Sequence, residues 1–319
     1  MLTRSLLSHW GINLMRILLT GSNGQVGTEF RKLGQGTAEI ISTGSRELDL
    51  TREEEIRRFV RDAKPDVIVN AASFSDVDAA ERNWDACFAL NAMAPVVLAE
   101  EAHRLDALLI HYSTDQVFDG SKSEPYTEKD RTSPLNVYGA SKAAGEQGIA
   151  SSFAPALILR LSWIYSAQGD NILRSILRLA KHSSELQVAN DQVGAPTSAR
   201  SIARATERLI RMYANSRKTQ FPTGIYHLTA EGATTWHGFA CALLDATFRQ
   251  RKPLVIPIAT TEHSSFARRP RNSLLSCQKF MTTFGFQLAS WQQQLEEVSA
   301  ELPVETGAAG SELIHHDEA

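Results

Sequence analysis

Cysteine is scarce in this chain, and the three present are scattered. Cys87, Cys241 and Cys277 lie far apart in 319 residues, with no Cys-x-x-Cys pair. That spacing argues against a disulfide framework and a structural zinc site, and it fits a reducing compartment, the cytoplasm. Read as buried apolar filler, the thiols need no other role. Long apolar runs are missing too. No stretch of about 18 apolar residues exists, so no membrane-spanning helix is expected. Nor does one sign of charge dominate: 33 Lys and Arg stand against 36 Asp and Glu, a net charge of -3. That balance excludes an extended basic face for nucleic acid. The histidines, including His111 and His227, sit in apolar strand contexts without a second ligand at metal spacing. No metal site is expected there, and the sequence gives no support for Mg2+ dependence.

The ends differ from the middle. Residues 1–14 carry an apolar stretch broken by Ser8, His9 and Gly11, and no small-residue cleavage site follows. The expectation is a disordered extension rather than a signal peptide, with Met15 as the true start. Residues 303–319 are acidic and rich in Gly and Ala, the composition of a flexible tail.

Between the ends, short apolar runs alternate with amphipathic stretches. Strands are expected at residues 16–20, 38–43, 66–70, 107–113 and 156–161, and helices at 51–63, 86–104 and 138–149. This alternation predicts right-handed βαβ crossovers and a Rossmann-like α/β fold with a mostly parallel, doubly wound sheet. Past Trp163 the rhythm changes. Residues 171–181 and 198–213 read as helices, 224–229 as one more sheet strand, and 236–248 as a helix capped by Thr234-Thr235. The remainder reads as short irregular pieces with several prolines. The expected division is a dinucleotide-binding domain at 15–165 plus about 221–250, and a smaller substrate-binding lobe at about 166–220 plus 251–302.

The first strand runs straight into Gly21-Ser22-Asn23-Gly24-Gln25-Val26-Gly27. Gly21 permits a tight turn, Gly24 lets a pyrophosphate approach helix N-terminal N–H groups, and Gly27 allows close helix–strand packing. An ordinary βα turn would carry the same glycines, but the strand–turn–helix context favours a dinucleotide. Coenzyme choice turns on the end of the second strand. There Arg46 either meets a 2′-phosphate or is a solvated loop charge, which leans the expectation to NADPH with NADH tolerated.

Further along stands Tyr138-Gly-Ala-Ser-Lys142, with Ser113-Thr114-Asp115 upstream. Tyr138 and Lys142 are four apart and share a helix face. An ammonium beside a phenol favours the ionised form and is expected to lower a pKa ordinarily near 10. A hydroxyl from a strand end would then hold a carbonyl oxygen against that phenol, which is acid chemistry suited to reducing a ketone.

Together these residues resemble the dTDP-4-dehydrorhamnose reductase family of extended short-chain dehydrogenase/reductases. The matching segments run in order from GSNGQVG (21–27) through PDVIVNAAS (65–73), LNAMAP (90–95), IHYSTDQVFDG (110–120), SPLNVYGASKAAGE (133–146), LRLSWIY (159–165), NDQVGAPTSA (190–199) and GIYHLTAEGATTWHGFA (224–240) to ARRPRNSLL (267–275). The resemblance implies NAD(P)H-dependent reduction of the C4 ketone of a dTDP-4-keto-6-deoxyhexose by a monomer or homodimer. It places Gly21, Gly24, Gln25, Val26 and Gly27 at the pyrophosphate, and Asp49 and Leu50 at the adenosine end. Ala71, Ala72, Ser73, Phe74 and Ser75 would border the nicotinamide half. Tyr138, Lys142 and Thr114 would be catalytic, and Thr114, Asp115 and Trp163 would hold the deoxysugar. The resemblance extends to a regulatory subunit of methionine adenosyltransferase that binds NADP, and to sister reductases of other sugars. Two departures from the family pattern fall near the sugar: Gln116 stands where tyrosine is usual, and Ser73-Phe74-Ser75 where AxHT is usual. In Arg268-Arg269-Pro270-Arg271, any one arginine could fork onto the substrate diphosphate.

Overall fold

The computed structural model describes residues 15–33, 38–250, 252–260 and 266–303; the expected N-terminal extension and nearly all of the tail lie outside them. Five strands of the first half are β1 (Arg16–Thr20), β2 (Glu39–Thr43), β3 (Val67–Asn70), β4 (Leu108–Thr114) and β5 (Ala156–Leu161). The short β6 (Ile164–Tyr165), β7 (Glu185–Ala189), β8 (Val193–Gly194) and β9 (Thr197–Ser198) precede β10 (Gly224–His227). One six-stranded sheet has the order β10-β5-β4-β3-β1-β2, with every pairing parallel. From β1 the chain steps outward to β2, then returns to the other side of β1 as β3. The strand order therefore reverses between β1 and β3, and ligands of open α/β sheets bind outside the carboxyl ends at such a point.

Burial on both faces explains the near-continuous apolar strands. Ile17 and Leu19 of β1 join Val67, Val69, Leu108 and Ile110 in a core on one face. Leu18 joins Ile68, Leu109 and Ile158 on the other, against the helices Glu53–Ala63 and Ala94–Leu105. Side chains alternate across the pleat, so successive residues of one strand serve two cores.

A third core stands apart, built on helices Ile172–Ala180, Trp236–Thr247 and Trp291–Ser299 with Tyr165 and Leu186. Two helices divide between these cores. Helix Ala199–Asn215 buries Ala199, Ile202 and Leu209 in the first sheet core, and helix Trp236–Thr247 buries Phe239 and Leu243 in the third. The C-terminal remainder is also more regular than its prolines suggest. It holds helices Gln278–Phe284 and Trp291–Ser299, and a strand, Leu254–Ile258, that pairs in parallel with β7. Among the described residues no helix is long and apolar enough to cross a membrane.

Candidate active site

Every segment that builds the cleft leaves the carboxyl end of a sheet strand or reaches back to one. The loop after β1 turns at Gly21 with φ of +67°, and a Cβ there would lie 2.4 Å from the Ala72 nitrogen. Glycine is therefore required at that point, because the turn and the chain after β3 touch. Gly24, by contrast, has only the Gly21 carbonyl nearby, at 3.3 Å, and so leaves the helix start at Gln25 open. The Gln25 side-chain oxygen is buried and has no hydrogen-bond partner. Open backbone N–H groups at a helix N-terminus fit a dinucleotide pyrophosphate, whereas the Gln25 oxygen, an acceptor, would need a donor such as a ribose hydroxyl. Asp49, expected at the adenosine end, spends one carboxylate oxygen on the Thr51 N–H (2.9 Å) and hydroxyl (2.7 Å), a turn leading into the helix Glu53–Ala63.

Beyond β3, the Ser73 hydroxyl donates to Asn91 Oδ1 at 3.1 Å, and Phe74 exchanges backbone bonds with the same amide at 2.8 and 3.0 Å. Asn91 also donates to Ser141 Oγ at 3.0 Å, which ties this loop to the helix Val137–Ser151. Asn91 sits in a π-helical turn, Ala89–Met93, that interrupts the unbroken helix expected over 86–104. Pro95 has no N–H to return to the Asn91 carbonyl four residues back, and the wider turn accommodates that loss. Asn91 thus braces the loop after β3, a place that helical spacing alone did not single out; the following proline was the available signal.

The helix bearing Tyr138 and Lys142 begins at Asn136, whose side chain accepts the Gly139 N–H at 2.8 Å. The same amide donates to Gln116 Oε1 (2.8 Å) and to the Arg268 carbonyl (2.7 Å). Gln116 therefore braces the helix start. Further down, Glu146 and Arg160 form a buried bidentate pair at 2.6 and 2.8 Å that pins the helix to β5.

Tyr138 and Thr114 line the same cleft, and the Thr114 and Ser73 hydroxyls are near enough to the phenol to act on its titration. The expected drop in the phenol's pKa is reversed. Burial pushes Tyr138 up to about 12, and the two hydroxyls only draw it part of the way back. Lys142 is buried and turned to the strand beside it, donating to the Tyr112 carbonyl at 2.5 Å. Burial lowers Lys142 to about 8, against the pull of the Glu146 carboxylate. Asp115 is buried and raised to about 6, again by burial, with hydrogen bonds from Ser273, Thr114 and Ser162 opposing. Thr114 Oγ1 lies 3.1 Å from Asp115 Oδ1. Next to them the Ser113 hydroxyl is buried without a partner and lines the cleft.

The cleft, about 600 Å³, runs from Gln25 past Thr114 and Tyr138 to Trp163, Trp236 and Arg269. Trp163 sits at φ of +48°, a left-handed conformation rare for a bulky residue. One face of its indole is stacked on Trp236, with centroids 3.6 Å apart and planes 7° off parallel. Gly194 covers the other: a Cβ there would lie 2.4 Å from Trp163 Cε2. The expected sugar wall is thus a clamped ring that presents its rim to the cleft. Trp236 Nε1 donates to Gln192 Oε1 (3.1 Å), and Gln192 Nε2 to Thr260 Oγ1 (3.1 Å). Of the four residues in the Arg-Arg-Pro-Arg run, Arg269 and Pro270 line the cleft. Arg269 also pairs with Asp78 at 2.7 Å. Among the described residues no group of three or more His, Cys, Asp or Glu is placed to hold a metal ion.

A phenol and a threonine hydroxyl lining one cleft, with a buried amine one helical turn behind the phenol, are the parts of a carbonyl reductase, and comparison with known proteins narrows the kind. The family model described as the RmlD substrate binding domain matches residues 15–304. The chain belongs to this family. Among curated members, the dTDP-4-dehydrorhamnose reductase of Burkholderia thailandensis is 44% identical over 286 residues, covering 87% of this chain and 96% of that one. A solved dTDP-4-dehydrorhamnose reductase from Bacillus anthracis, in complex with NADP, superposes with a TM-score of 0.84. It is 30% identical and covers 91% of this chain and 100% of its own. A dTDP-4-dehydrorhamnose reductase from Clostridium acetobutylicum gives 0.83 at 34% identity, over 89% of this chain and 98% of that one. Membership in the RmlD family accounts for the cleft's two-sided build, with a dinucleotide loop on one flank and a separate third core on the other.

Proposed function

We propose that this protein reduces the C4 ketone of dTDP-4-dehydro-β-L-rhamnose to give dTDP-L-rhamnose, with NADPH as the main coenzyme and NADH tolerated. The observation that carries the reading is the pairing of Thr114 and Tyr138 at the cleft floor, beside the open helix N-terminus at Gly24 and Gln25. NADPH, when bound, supplies the hydride for C4. Tyr138 protonates the C4 oxygen as charge develops there, and the Thr114 hydroxyl donates a second hydrogen bond. A phenol held at about 12 enters the reaction fully protonated, as a general acid must. Lys142, one helical turn on and held on the Tyr112 carbonyl, would bond the nicotinamide ribose when the coenzyme is bound. Ser73, Phe74 and Ser75 flank the nicotinamide, with Ala71 and Ala72 backing the turn at Gly21. Asp49 and Leu50 lie toward the adenosine. Asp115, with the partnerless Ser113 hydroxyl and the rim of Trp163, holds the deoxysugar.

The division into lobes that this reading favours follows the three cores. Helix Ala199–Asn215 goes with the dinucleotide-binding sheet, and helix Trp236–Thr247 with the substrate side. The partners are small molecules, and the expected setting is the cytoplasm, as monomer or homodimer. Mixing the purified protein with NADPH and dTDP-4-dehydrorhamnose, then assigning the product by NMR, tests the reading. Coenzyme oxidation with C4 reduced to the rhamno configuration is expected; the opposite C4 configuration, or no oxidation, sinks it.

A further inference from the structure

Beneath Lys142 lies a histidine that the chemistry above does not use. His111 of β4 is fully buried, with its Nε2 3.4 Å from Lys142 Nζ and its Nδ1 3.1 Å from Asn70 Nδ2. The orientation of the Asn70 amide is fixed from its other side. Asn70 Oδ1 accepts the Ala72 backbone N–H at 3.2 Å and the Thr20 hydroxyl at 2.7 Å. A backbone N–H can only donate, so the atom it meets is the amide oxygen, and the atom facing His111 is the NH2. Asn70 therefore donates to Nδ1, and Nδ1 must be the bare nitrogen. A neutral imidazole carries one proton, which leaves it on Nε2, pointing at Lys142.

That arrangement has a consequence for the amine. An ammonium has three N–H donors and no lone pair, so facing it with another N–H sets donor against donor. A neutral amine resolves the conflict: its lone pair accepts from Nε2 while one of its own N–H groups stays on the Tyr112 carbonyl. We propose that His111, held in one tautomer by Asn70, is a positioning residue that favours the neutral form of Lys142 and so sets the upper pH limit of turnover. The other titratable groups that act on the amine are the Glu146 carboxylate one turn along the helix, which favours the charged form, and the Cys87 thiol, which burial keeps protonated. Among the described residues the charged neighbour acting on His111 is Lys142 itself, and burial holds the ring neutral. Burial of Lys142 acts in the same direction as the His111 N–H, bringing the amine to about 8. Activity that needs the ammonium is then lost as pH rises past that value, while the phenol remains protonated far above it.

The role in turnover rests on the reductase reading; the protonation states do not, and they are measured on the free, full-length protein. In wild type, 15N-histidine NMR should show a neutral His111 with its proton on Nε2, and a 15N-lysine titration should place Lys142 near the value above. Two variants then reverse what the amine sees. Asn70→Asp gives Nδ1 a carboxylate, draws the proton to it, and turns the Nε2 lone pair toward Lys142. His111→Gln offers an amide oxygen to the amine without adding charge. Both should raise the Lys142 titration by about one pH unit or more, roughly tenfold in its protonation equilibrium. The basic limb of kcat should move with it. A wild-type ring protonated on Nδ1 overturns the proposal even if neither variant folds. So does a Lys142 that fails to shift in His111→Gln, whatever Asn70→Asp does, since the aspartate's charge alone could move it.

Discussion

The two walls of the cleft are built in different ways. On one, Thr114, Asp115, Gln116, Asn136 and Tyr138 come from a strand end and the helix that follows, 25 residues from first to last. Their places are set by the backbones of one strand and one helix: the β4 ladder holds the strand, and the Asn136 cap and the buried Glu146–Arg160 side-chain pair hold the helix. On the other, Trp163, Gln192, Trp236, Thr260 and Arg269 come from segments far apart in the chain and are joined by side chains. The Trp–Trp stack leads to Gln192, and Gln192 to Thr260. A wall fixed by backbone can hold a reacting geometry to a fraction of an ångström, which proton transfer needs. A wall of side-chain links can differ from one relative to another without disturbing that geometry. On the function proposed above, the first wall carries the reaction and the second adds to the choice of substrate.

That contrast breaks most visibly at Tyr138. Tyr138→Phe keeps the ring and the helix but removes the proton donor, so kcat should fall by about 10²–10⁴-fold. NADPH affinity, measured by fluorescence titration, should change little. A variant that turns over at more than a tenth of the wild-type rate would remove Tyr138 from the chemistry.

The second wall should respond in KM rather than kcat. Trp236→Ala deletes one side of the clamp on Trp163 and leaves the Gln192 amide oxygen without its donor. Stacked aromatic pairs contribute about 0.5–1.5 kcal/mol beyond the area they bury. With lost burial added, KM for the nucleotide sugar should rise on the order of tenfold or more, while kcat stays within a few-fold. Gly194→Ala reaches the same ring from its other face. Its methyl would sit 2.4 Å from Trp163 Cε2, so the indole must move, and KM should rise comparably. Should either change lower kcat as much as Tyr138→Phe does, the walls are not separable in the way their construction suggests.

The same contrast decides how much could be read from the residues alone. The sheet was legible because most of its strands are buried on both faces and so appear as near-continuous apolar runs, as in Ala156–Leu161, where Arg160 is the one charge and the expected and observed ends coincide. Gly21, Thr114, Tyr138 and Lys142 were legible because local geometry fixes their relations: a turn, a strand end, a helical repeat. Asn91 was hidden inside what reads as ordinary helix, and its role depends on a π turn that Pro95 imposes. Trp236 reads as the first residue of a capped helix, and nothing local says that it will lie flat on Trp163. The pKa of Tyr138 was misjudged for a related reason. An i,i+4 relation puts Lys142 on the same helix face, but burial of the phenol and the pull of the Tyr112 carbonyl on the amine are tertiary effects. That helix Ala199–Asn215 packs on the first sheet core was not legible, because amphipathic spacing tells that a face is buried, not against what.

The smallest expected effect lies where the walls meet. Asp115 belongs to the backbone-fixed wall, yet Ser162 and Ser273 reach it from the other. Its carboxyl is raised from 3.8 to about 6 in the folded protein. A group with a raised folded pKa contributes its full stability below the unfolded value and loses it as pH rises through the folded one. Stability therefore falls between about pH 4 and pH 6 on account of this residue and stays level above. Two pK units correspond to roughly 3 kcal/mol at most, and relaxation around the carboxylate reduces that. Asp115→Asn should thus stabilise the protein by about 1–2 kcal/mol at pH 7, a rise of a few degrees in Tm, and by nothing at pH 4. The buried histidines, whose folded pKa values are lowered, weaken both proteins alike as pH drops, so the difference between the two Tm curves isolates Asp115. Turnover should fall at the same time, because the amide holds the Thr114 hydroxyl less firmly than a carboxylate does. A variant that is both less stable at pH 7 and equally active would mean that the buried charge belongs to the architecture and not to the sugar.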